Sequence, residues 1–476
     1  MRYIFYSYVL YVAIAVLSLI TSCSGPESKL NSSRTEIFLS DLKLKTFRFF
    51  WEQVDKPTGQ ISDRFPEKRF TSIAATGFGL ASYLVGIEND FITRKEGAER
   101  VTHTLNWLWD SKQGPEISGI TGYNGFYYHF LNYEDGTRYK NVELSTIDTG
   151  WLMAGILACQ SYFLRDDQVE TRIRNLCDSL YLRVEWDWAM NGQEHMSMGW
   201  HPESGFIKSK WEGYNEAMMI ILMAMSSPTH PISNSAWESW CKSYVWDDFY
   251  GFEHVNFSPL FGHQYSHMFI DFRGILDPYM GKKGIDYFEN SKRSTLANRA
   301  YCEANPGKFK SYSENIWGLT ACDGPGLFYQ VSENTNNEFW GYRARGASAS
   351  DIIDDGTIAP TAAGGSIPFA PEECIKALFT MKEMYGDSIY NEYGFKDAFN
   401  MTFIHPETKI RGWFDRDYLG IDQGAILIQL ENYQSGLIWN ILKKNKYIVD
   451  GLVKAGFSGG WLNEIKNSEY LTKNIN

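Results

Sequence analysis

Residues 198–231 read MGWHPESGFIKSKWEGYNEAMMIILMAMSSPTHP, and the fold prediction starts from this stretch. A loop rich in Gly, Trp, His and Pro leads into the continuous apolar run 217–225, which is long enough for a buried helix. Glu216 lies at the junction of loop and helix. The helix dipole would stabilise its ionised form, whereas exclusion of water would raise its pKa, as a general acid requires.

The side chains around Glu216 decide between two interpretations. A lone glutamate at this position most often only stabilises the first turn of its helix. Four neighbours combine flat faces with polar tips, which favours a site that holds a sugar ring by stacking and hydrogen bonds: Trp200, His201, Trp211 and Tyr214.

The segment 143–163, ELSTIDTGWLMAGILACQSYF, repeats this arrangement. Ser145 and Thr146 are good helix caps, and the run from Leu152 is almost entirely apolar. Asp148 lies near the beginning of this predicted helix. The sequence therefore places a second acid at the N-terminal end of a buried helix, with a loop in front of it.

Apolar residues recur at helical spacing through most of the chain, and strand-type alternation is weak. Besides the two helices above, helices are predicted at 38–53, 73–85, 98–109, 169–186, 235–244, 284–303, 371–385, 418–442 and 445–456. Helices that are apolar all round need a second layer to cover them. We therefore expect an all-α fold in which an inner ring of helices is wrapped by an outer ring, with a cleft built from loops at one end.

The N-terminus predicts export and anchoring. An apolar segment, 3–20, precedes Thr21, Ser22 and Cys23, which reads as a lipoprotein signal peptide over 1–22 with Cys23 lipidated. An uncleaved membrane anchor is the alternative. A linker is predicted up to residue 35, then one domain over 36–460 and a C-terminal tail over 461–476, in a periplasmic or outer-membrane lipoprotein.

Composition argues against several classes of function. The net charge of -12 argues against nucleic acid and against a basic membrane-binding surface, and it suits a neutral ligand. Aromatic residues make up 16% of the chain, which is typical of carbohydrate-handling proteins, although a bulky core explains most of them. Metal-binding spacings such as CxxC and HExxH are missing, so no metal or cofactor is expected, and nothing in the sequence indicates an assembly larger than a monomer.

The cysteines do not form a disulfide pattern. Apart from Cys23, they are widely spaced within apolar helical patterns, and buried free thiols are predicted for Cys159, Cys177, Cys241, Cys302, Cys322 and Cys374.

Three further loops combine acids, aromatic rings and glycine: 312–325, 354–360 and 413–424. Singly, each is most often a turn or a helix cap. Together they supply what a sugar cleft with paired carboxylates needs. Glycoside hydrolysis uses one carboxylic acid to protonate the leaving oxygen and one carboxylate to activate water or attack the sugar. Serine-hydrolase, Rossmann and P-loop fingerprints are not evident.

Six ordered motifs resemble one family. STIDTGWLMAGIL, WEGYNEAMMIILMAMSSPTHP, FGHQYSHMFIDFRGI, YSENIWGLTACDGP, DDGTIAPTAAGGSIPFAPE and DYLGIDQGAILIQLENYQSGLIW resemble the bacterial glucoamylase-like domain, and are most similar to glycoside hydrolase family 144, the β-1,2-glucanases. The resemblance covers residues 36–460. It implies an (α/α)6 barrel and metal-free hydrolysis of linear β-1,2-glucan with inversion, by endo action or by release of sophorose from the non-reducing end.

The resemblance also implies roles for individual residues. Glu216 in GYNE is the expected general acid, and Asp148 is the expected second carboxylate, with Glu143 as its rival. A proton relay through a substrate hydroxyl or through waters stays open. The expected substrate contacts are Trp211, Tyr214, His267, Arg273, Tyr312, Trp317, Asp323, Asp415 and Asp417.

Two other functions stay open on the sequence alone. A polysaccharide lyase would use a trio such as Tyr265, His267 and Arg273, but lyases usually act on acidic glycans, which this acidic chain would repel. A glycan-binding lipoprotein would share the helices and aromatic rings but lack turnover.

Overall fold

The computed structural model of the protein describes residues 26–332 and 335–465. Its contacts divide the chain into a short unit ending at Leu42 and a large unit beginning at Lys43. The described part of the short unit belongs to helix α1 (Pro26–Glu52), whose last residues begin the large unit. The predicted signal peptide and Cys23 lie outside the described residues. Over the described ranges, no helix is both long enough and apolar enough to cross a membrane.

Helices dominate the large unit. After α1 they are α2 (Ile73–Glu88), α3 (Arg94–Asp110), α4 (Thr146–Tyr162), α5 (Gln168–Leu182), α6 (Trp186–Ala189), α7 (Met218–Ser226), α8 (Ser235–Cys241), α9 (Tyr265–Phe269), α10 (Pro278–Lys283), α11 (Tyr287–Ala304), α12 (Pro360–Gly364), α13 (Pro371–Tyr385), α14 (Gly420–Gln434), α15 (Leu437–Leu442) and α16 (Lys446–Lys454). Short 3-10 turns occur at Leu260–His263 and Gly386–Ser388.

The most deeply buried helices pack against one another in a closed circuit. Helix α2 packs on α4, α4 on α7, α7 on α9, α9 on α14, and α14 back on α2. Helix α12 packs on α14, and the Gln264 amide in front of α9 donates to the carbonyl of Ala362 in α12 at 2.8 Å. Helices α3, α5, α13 and α16 pack outside these, on α2, α4, α12 and α7. This helix-rich, layered arrangement is of the α/α-barrel type that the sequence predicts.

Helices α2 and α4 approach each other most closely at Gly77 and Gly155. A Cβ atom on Gly155 would lie 2.0 Å from the carbonyl oxygen of Gly77, which no side chain tolerates. The two helices therefore cross almost backbone to backbone, and this contact fixes where the start of α4 lies relative to the start of α2.

Side-chain caps set the helix starts. Ser72 caps α2 and Ser145 caps α4, each accepting from the backbone N–H three residues later, which satisfies a donor that the helix itself leaves free. The same device begins α3, α5, α10, α11 and α16, at Thr93, Asp167, Asp277, Asp286 and Asn445.

Short antiparallel strands pair within the segments that connect the helices. They are β1 (Arg64–Phe65), β2 (Thr71–Ser72), β3 (Gly122–Tyr123), β4 (Phe126–Tyr128), β5 (Phe130–Leu131), β6 (Leu144–Ser145), β7 (Gly199–His201), β8 (Gly205–Phe206), β9 (Trp246–Phe249), β10 (Phe252–Val255), β11 (Ala321–Cys322), β12 (Phe328–Ser332), β13 (Thr335–Phe339), β14 (Arg343–Ala344), β15 (Gly346–Ala347), β16 (Ile352–Ile353), β17 (Tyr390–Asn391), β18 (Gly394–Phe395), β19 (Phe399–Ile404), β20 (Arg411–Phe414) and β21 (Tyr418–Leu419).

Three of these pairings position the loops in front of α2, α4 and α14. A five-stranded sheet has the order β3-β4-β6-β7-β8, β2 pairs with β5, and β1 pairs with β21. In the sheet, Tyr127 pairs with Ser145 and Leu144 with Trp200. The loop that carries Trp200 is thereby held against the start of α4.

The structure differs from the predicted elements at several places. The helix predicted over 418–442 is two helices, because Gly436, with φ of 69°, breaks it between α14 and α15. The helix predicted over 169–186 ends at Leu182. A linker is predicted up to residue 35, but the chain is already helical from Pro26. Once a helix exists, each residue added to its end gains one hydrogen bond, which favours extension of α1 into this segment.

The predicted C-terminal tail also begins later than residue 460. Leu462 is buried, and the indole of Trp461 donates to the carbonyl oxygen of Asp271 at 2.8 Å. The six cysteines Cys159, Cys177, Cys241, Cys302, Cys322 and Cys374 are buried and free, which confirms the prediction made for them.

Candidate active site

Asp148 lies in the first turn of α4 and is only 7% exposed. The Ser145 hydroxyl accepts from the backbone N–H of Asp148 at 3.2 Å and also donates to its carboxylate. Trp211 holds the same turn, since its indole N–H donates to the Thr146 hydroxyl at 2.9 Å. The helix start and its serine cap therefore fix the direction in which this carboxylate faces.

His129 joins Asp148 to Glu143. The Nδ1 atom of His129 lies 2.8 Å from Oε1 of Glu143, and its Nε2 atom lies 3.5 Å from Oδ1 of Asp148. Burial raises the pKa of Asp148, and the nearby His129 only partly offsets this. Burial acts in the same direction on Glu143, but the hydrogen bond and the charge of His129, with smaller contributions from a backbone hydrogen bond and from His201, together outweigh it and lower the pKa of Glu143.

Glu216 lies two residues before the first residue of α7. The Ser266 hydroxyl donates to its backbone carbonyl at 3.0 Å, and the Asn215 side chain accepts from the backbone N–H of Ala217 at 2.9 Å. Burial, with a further contribution from the nearby Asp148 charge, raises the pKa of Glu216 to about 7. A carboxylic acid with this pKa still carries its proton near neutral pH, as a general acid must.

A second group of carboxylates surrounds Arg64. One guanidinium nitrogen, Nη1, lies 2.7 Å from Oδ2 of Asp323 and 3.4 Å from Oδ2 of Asp417. The Nε atom of the same side chain lies 3.1 Å from Oδ2 of Asp63. The pairing of β1 with β21 brings Arg64 next to Asp417, because Arg64 is opposite Leu419 and Phe65 is opposite Tyr418.

Three more buried aspartates complete this Arg64 cluster: Asp397, Asp415 and Asp422. One carboxylate oxygen of Asp397 accepts from the backbone N–H of Asp323 at 2.7 Å. Burial and the neighbouring carboxylates raise the pKa of all three groups. One arginine faces several acids, so these carboxylates retain protons at pH values where an exposed aspartate is ionised.

The two groups of carboxylates belong to one site. Asp63 is close enough to His129 for their charges to interact, and Tyr265, the first residue of α9, interacts in the same way with both Glu216 and Asp422. The N-terminal ends of α4, α7, α9 and α14 therefore face a common region. That convergence is what the acids at the helix starts predict.

The Arg64 cluster contains the donor set for a hard cation. Carboxylate oxygens of Asp323, Asp397 and Asp415 lie within 4.8 Å of one another. Oxygen ligands of this kind suit Ca²⁺ or Mg²⁺. Arg64 and retained protons also balance the negative charge, so the absence of a metal stays a prediction.

Several rings expected to contact a substrate are core residues. Trp317 is 0% exposed, and Tyr214 is 5% exposed within a group of rings that includes His263 and Tyr287. Tyr312 is also buried, and its hydroxyl donates to Asp354 at 2.7 Å. The structure therefore places the rings of Tyr214 and Trp317 in the core, and it offers no support for the substrate contacts predicted for them, which stay predictions.

His267 and Arg273 make their side-chain contacts with groups other than the three candidate catalytic acids. His267 is 1% exposed, its Nε2 atom lies 3.0 Å from the Ser291 hydroxyl, and burial lowers its pKa to about 3. Arg273 forms a bidentate pair with Asp271 and lies over the Trp439 ring. These contacts hold α9 and the loop after it against α11 and α15, and the substrate contacts of His267 and Arg273 stay predictions.

Other rings lie close to the carboxylates. His129 stacks on Phe130 with ring centroids 3.8 Å apart, and Phe70 continues the stack at 4.3 Å from Phe130. Tyr342 is 59% exposed and interacts with the charges of Asp397 and Asp422. These rings provide apolar surface at the site that the sequence did not single out.

Sequence reasoning also assigned no role to five charged members of the site: Asp63, Arg64, His129, Asp397 and Asp422. The pattern of acids at the starts of apolar helices could not reveal Arg64 and Asp397, because neither residue begins such a helix. A signal for Asp422 was present, because it lies in the first turn of α14 as Asp148 lies in the first turn of α4.

The chain is similar to known proteins both in sequence and in fold. A family model described as "Putative glucoamylase" matches residues 208–446. A curated protein of Parabacteroides distasonis, an exo beta-1,2-glucooligosaccharide sophorohydrolase (non-reducing end), is 28% identical over 457 residues. The match covers 88% of this chain and 58% of that protein, so the chain spans less than two thirds of the relative's length.

Solved structures resemble the chain over nearly its whole length. The crystal structure of a "putative glucoamylase" from Bacteroides uniformis is 33% identical, with a TM-score of 0.78, and the match covers 90% of this chain and 98% of that one. An endo-beta-1,2-glucanase from Chitinophaga pinensis, solved with sophorotriose and glucose, is 28% identical, with a TM-score of 0.76 and coverage of 90% and 99%.

Proposed function

The chain belongs to the bacterial glucoamylase-like family, glycoside hydrolase family 144, and we propose that it hydrolyses linear β-1,2-glucan with inversion of configuration. One observation carries the proposal: Asp148 and Glu216 stand at the starts of two packed helices, α4 and α7, near enough for their charges to interact, and burial raises the pKa of Glu216 to about 7. The names of its relatives, β-1,2-glucanases and a sophorohydrolase, support the choice of substrate.

In the proposed reaction, the general acid and the general base lie at the starts of two different helices. Glu216 donates its proton to the glycosidic oxygen as the bond from that oxygen to the anomeric carbon breaks. Asp148 accepts a proton from a water molecule, directly or through a relay of waters or a substrate hydroxyl, as that water's oxygen bonds to the anomeric carbon from the opposite face. Glu143 is the rival base, but its carboxylate already accepts from His129 at 2.8 Å.

The Arg64 cluster suits the binding of neutral sugar. Asp323, Asp415 and Asp417 are carboxylates that can accept hydrogen bonds from sugar hydroxyls, and protonated members of the cluster can donate them. These three were expected to contact substrate, and we retain that role for them. The fold that carries the site is proposed to be an (α/α)6 barrel, supported by the closed circuit of helix contacts.

The test is a time course of products from linear β-1,2-glucan. We expect either a ladder of β-1,2-linked fragments, which means endo cleavage, or a single disaccharide, sophorose, which means exo cleavage. Proton NMR of the first product should show the α-anomer at the new reducing end, because inversion converts the β-linkage. A polymer of unchanged length would reject hydrolysis and leave glycan binding as the function.

The lyase alternative has little support from the geometry. Of its three residues, His267 is buried against Ser291 and Arg273 is paired with Asp271. A lyase would also release an unsaturated product that absorbs in the ultraviolet, so the same time course, followed at such a wavelength, separates the two reactions.

We further propose that Cys23 carries a lipid and that the protein is an exported lipoprotein of the periplasm or outer membrane. The apolar segment 3–20 and the small residues before Cys23 support this. Labelling with a radioactive fatty acid tests it: the full chain should incorporate label, and Cys23→Ser should not. Label in both proteins would reject Cys23 as the anchor.

A further inference from the structure

His129 occupies the turn between β4 and β5, and its backbone is fixed on both sides. Its N–H donates to the carbonyl of Glu143 at 3.0 Å, and its own carbonyl accepts from the N–H of Ile73, the first residue of α2, at 3.3 Å. The ring is fixed as well, because it stacks on Phe130 at an interplanar angle of 26°. The imidazole therefore has little freedom to turn away from the two acids that it faces.

Both ring nitrogens of His129 face carboxylate oxygens, of Glu143 on one side and Asp148 on the other. The contact with Glu143 at 2.8 Å is a hydrogen bond and the contact with Asp148 at 3.5 Å is an ion-pair contact, and only the imidazolium carries an N–H and a positive charge toward both carboxylates. Asp63 adds a third negative charge nearby. Burial lowers the pKa of His129, but the Asp148 and Glu143 carboxylates outweigh that effect and raise the pKa to about 9.

Each of these two acids also interacts with one further titratable group. Asp148 also interacts with Glu216, and Glu143 interacts with His201. Without a cation between them, Glu143 and Asp148 would be two like charges at a partly buried place, which favours uptake of a proton by one of them. That proton would occupy a carboxylate that must accept one in the reaction.

We propose that His129 is a positioning residue: as an imidazolium that bridges Glu143 and Asp148, it keeps Asp148 ionised while the neighbouring Glu216 retains the proton for the leaving sugar. The inference rests on the proposed function, since it assigns the state of the base in that reaction. It also gives His129 a role that does not require contact with the substrate.

The first test is the pH dependence of kcat/KM for His129→Gln. Glutamine can hydrogen-bond but carries no charge, so the acidic limb of the profile should move to higher pH by about one to three units, the range by which a close cation shifts an aspartate. We expect kcat to fall and KM to change little. His129→Lys, which keeps a positive charge, should return the limb toward its wild-type position.

A matched control is His103→Gln, because His103 is an exposed histidine of α3 whose ring nitrogen lies 3.0 Å from the Lys56 carbonyl. It should leave the profile unchanged. If His129→Gln and His129→Lys lose activity equally at every pH without moving the acidic limb, His129 is only structural and the inference is wrong.

The second test does not depend on activity. In ¹⁵N-histidine NMR spectra at pH 7.5, assigned by comparison with His129→Gln, both nitrogens of His129 should be protonated, and Asp148→Asn should lower the pH at which the ring titrates. One protonated nitrogen at pH 7.5 overturns the inference. If the wild-type protein cleaves no glucan but this NMR result holds, the proposed function fails while the charge on His129 stands.

Discussion

Replacing Glu216 by glutamine should remove activity and yet stabilise the folded protein at alkaline pH. The pKa of Glu216 is about 7 in the fold, against an ordinary value of 4.5, so the folded protein favours its protonated form. That preference contributes stability that is fully present below pH 4.5 and is lost as the pH rises through 7. Glutamine resembles the protonated acid and cannot ionise, so the variant keeps this stability at alkaline pH.

The magnitude follows from the two pKa values. The difference of 2.5 between 7 and 4.5 corresponds to about 3 kcal/mol at 1.36 kcal/mol per unit. Because the carboxylate is partly exposed and water screens its charge, about 1–2 kcal/mol is the realistic gain. Above pH 7 the free energy of unfolding of Glu216→Gln should exceed that of the wild type by this amount, and the two should be equal near pH 4.

The assay is denaturant unfolding of the wild type and of Glu216→Gln at pH 4 and pH 8. The two proteins are compared at the same pH, so that the contributions of the other titrating groups to the free energy of unfolding cancel. Glu431→Gln is the matched control: Glu431 is buried and accepts from Lys43 at 2.6 Å, so its neutralisation should destabilise the protein. The reasoning is refuted if Glu216→Gln is less stable than the wild type at pH 8, or if its advantage is as large at pH 4 as at pH 8.

Four further predictions follow from the same structure. Glu216→Gln should lower kcat by about three decades while the circular dichroism spectrum is unchanged, since a positioned acid contributes about 10²–10⁴-fold; near-wild-type turnover removes Glu216 from the mechanism. In the wild type, kcat/KM should fall above about pH 7 as Glu216 ionises, and a flat profile up to pH 9 would contradict its role as the acid. EDTA should leave activity unchanged if Arg64 and protons balance the charge of the Arg64 cluster; a loss restored by Ca²⁺ or Mg²⁺ would assign a metal to it. Arg345→Met should destabilise the fold by about 3–5 kcal/mol in thermal or denaturant unfolding, because it leaves the fully buried Asp355 carboxylate without its partner at 2.7 Å, and an unchanged midpoint would contradict this.

The sequence predicts well what depends on local pattern. Ser145 caps α4 as its position suggests, and the apolar run after Glu216 becomes α7, in which every residue is buried. Caps and continuous apolar runs act over a few residues, so their signal survives without knowledge of the tertiary structure. The two acids beside these helix starts could be found for the same reason.

Features that depend on distant contacts could not be predicted in this way. The pair of Arg64 with Asp323 joins residues 259 apart, and the contact of Arg64 with Asp417 joins residues 353 apart. His129 and Glu143 are only 14 residues apart, yet their contact forms because β4 pairs with β6. Two-residue strands have no period to detect, so their pairings left no signal in the chain.

Aromatic content could not show which rings are open to a ligand. Trp317 and Tyr214 stand among acids and glycines as sugar-binding rings do, but both are buried in the core. Composition reports how many rings a region has and not which of them keep an open face. Tyr342 is exposed and interacts with the charges of Asp397 and Asp422, which lie 55 and 80 residues away from it in the sequence.

The most direct measurement is chromatography of the products formed from linear β-1,2-glucan by the wild-type protein and by Glu216→Gln, at equal concentration near pH 6. The wild type should release β-1,2-linked fragments or sophorose, and Glu216→Gln should release almost none although it folds. Intact polymer with the wild type, or equal release by both proteins, would contradict the assignment of this site as an acid–base glycosidase centre.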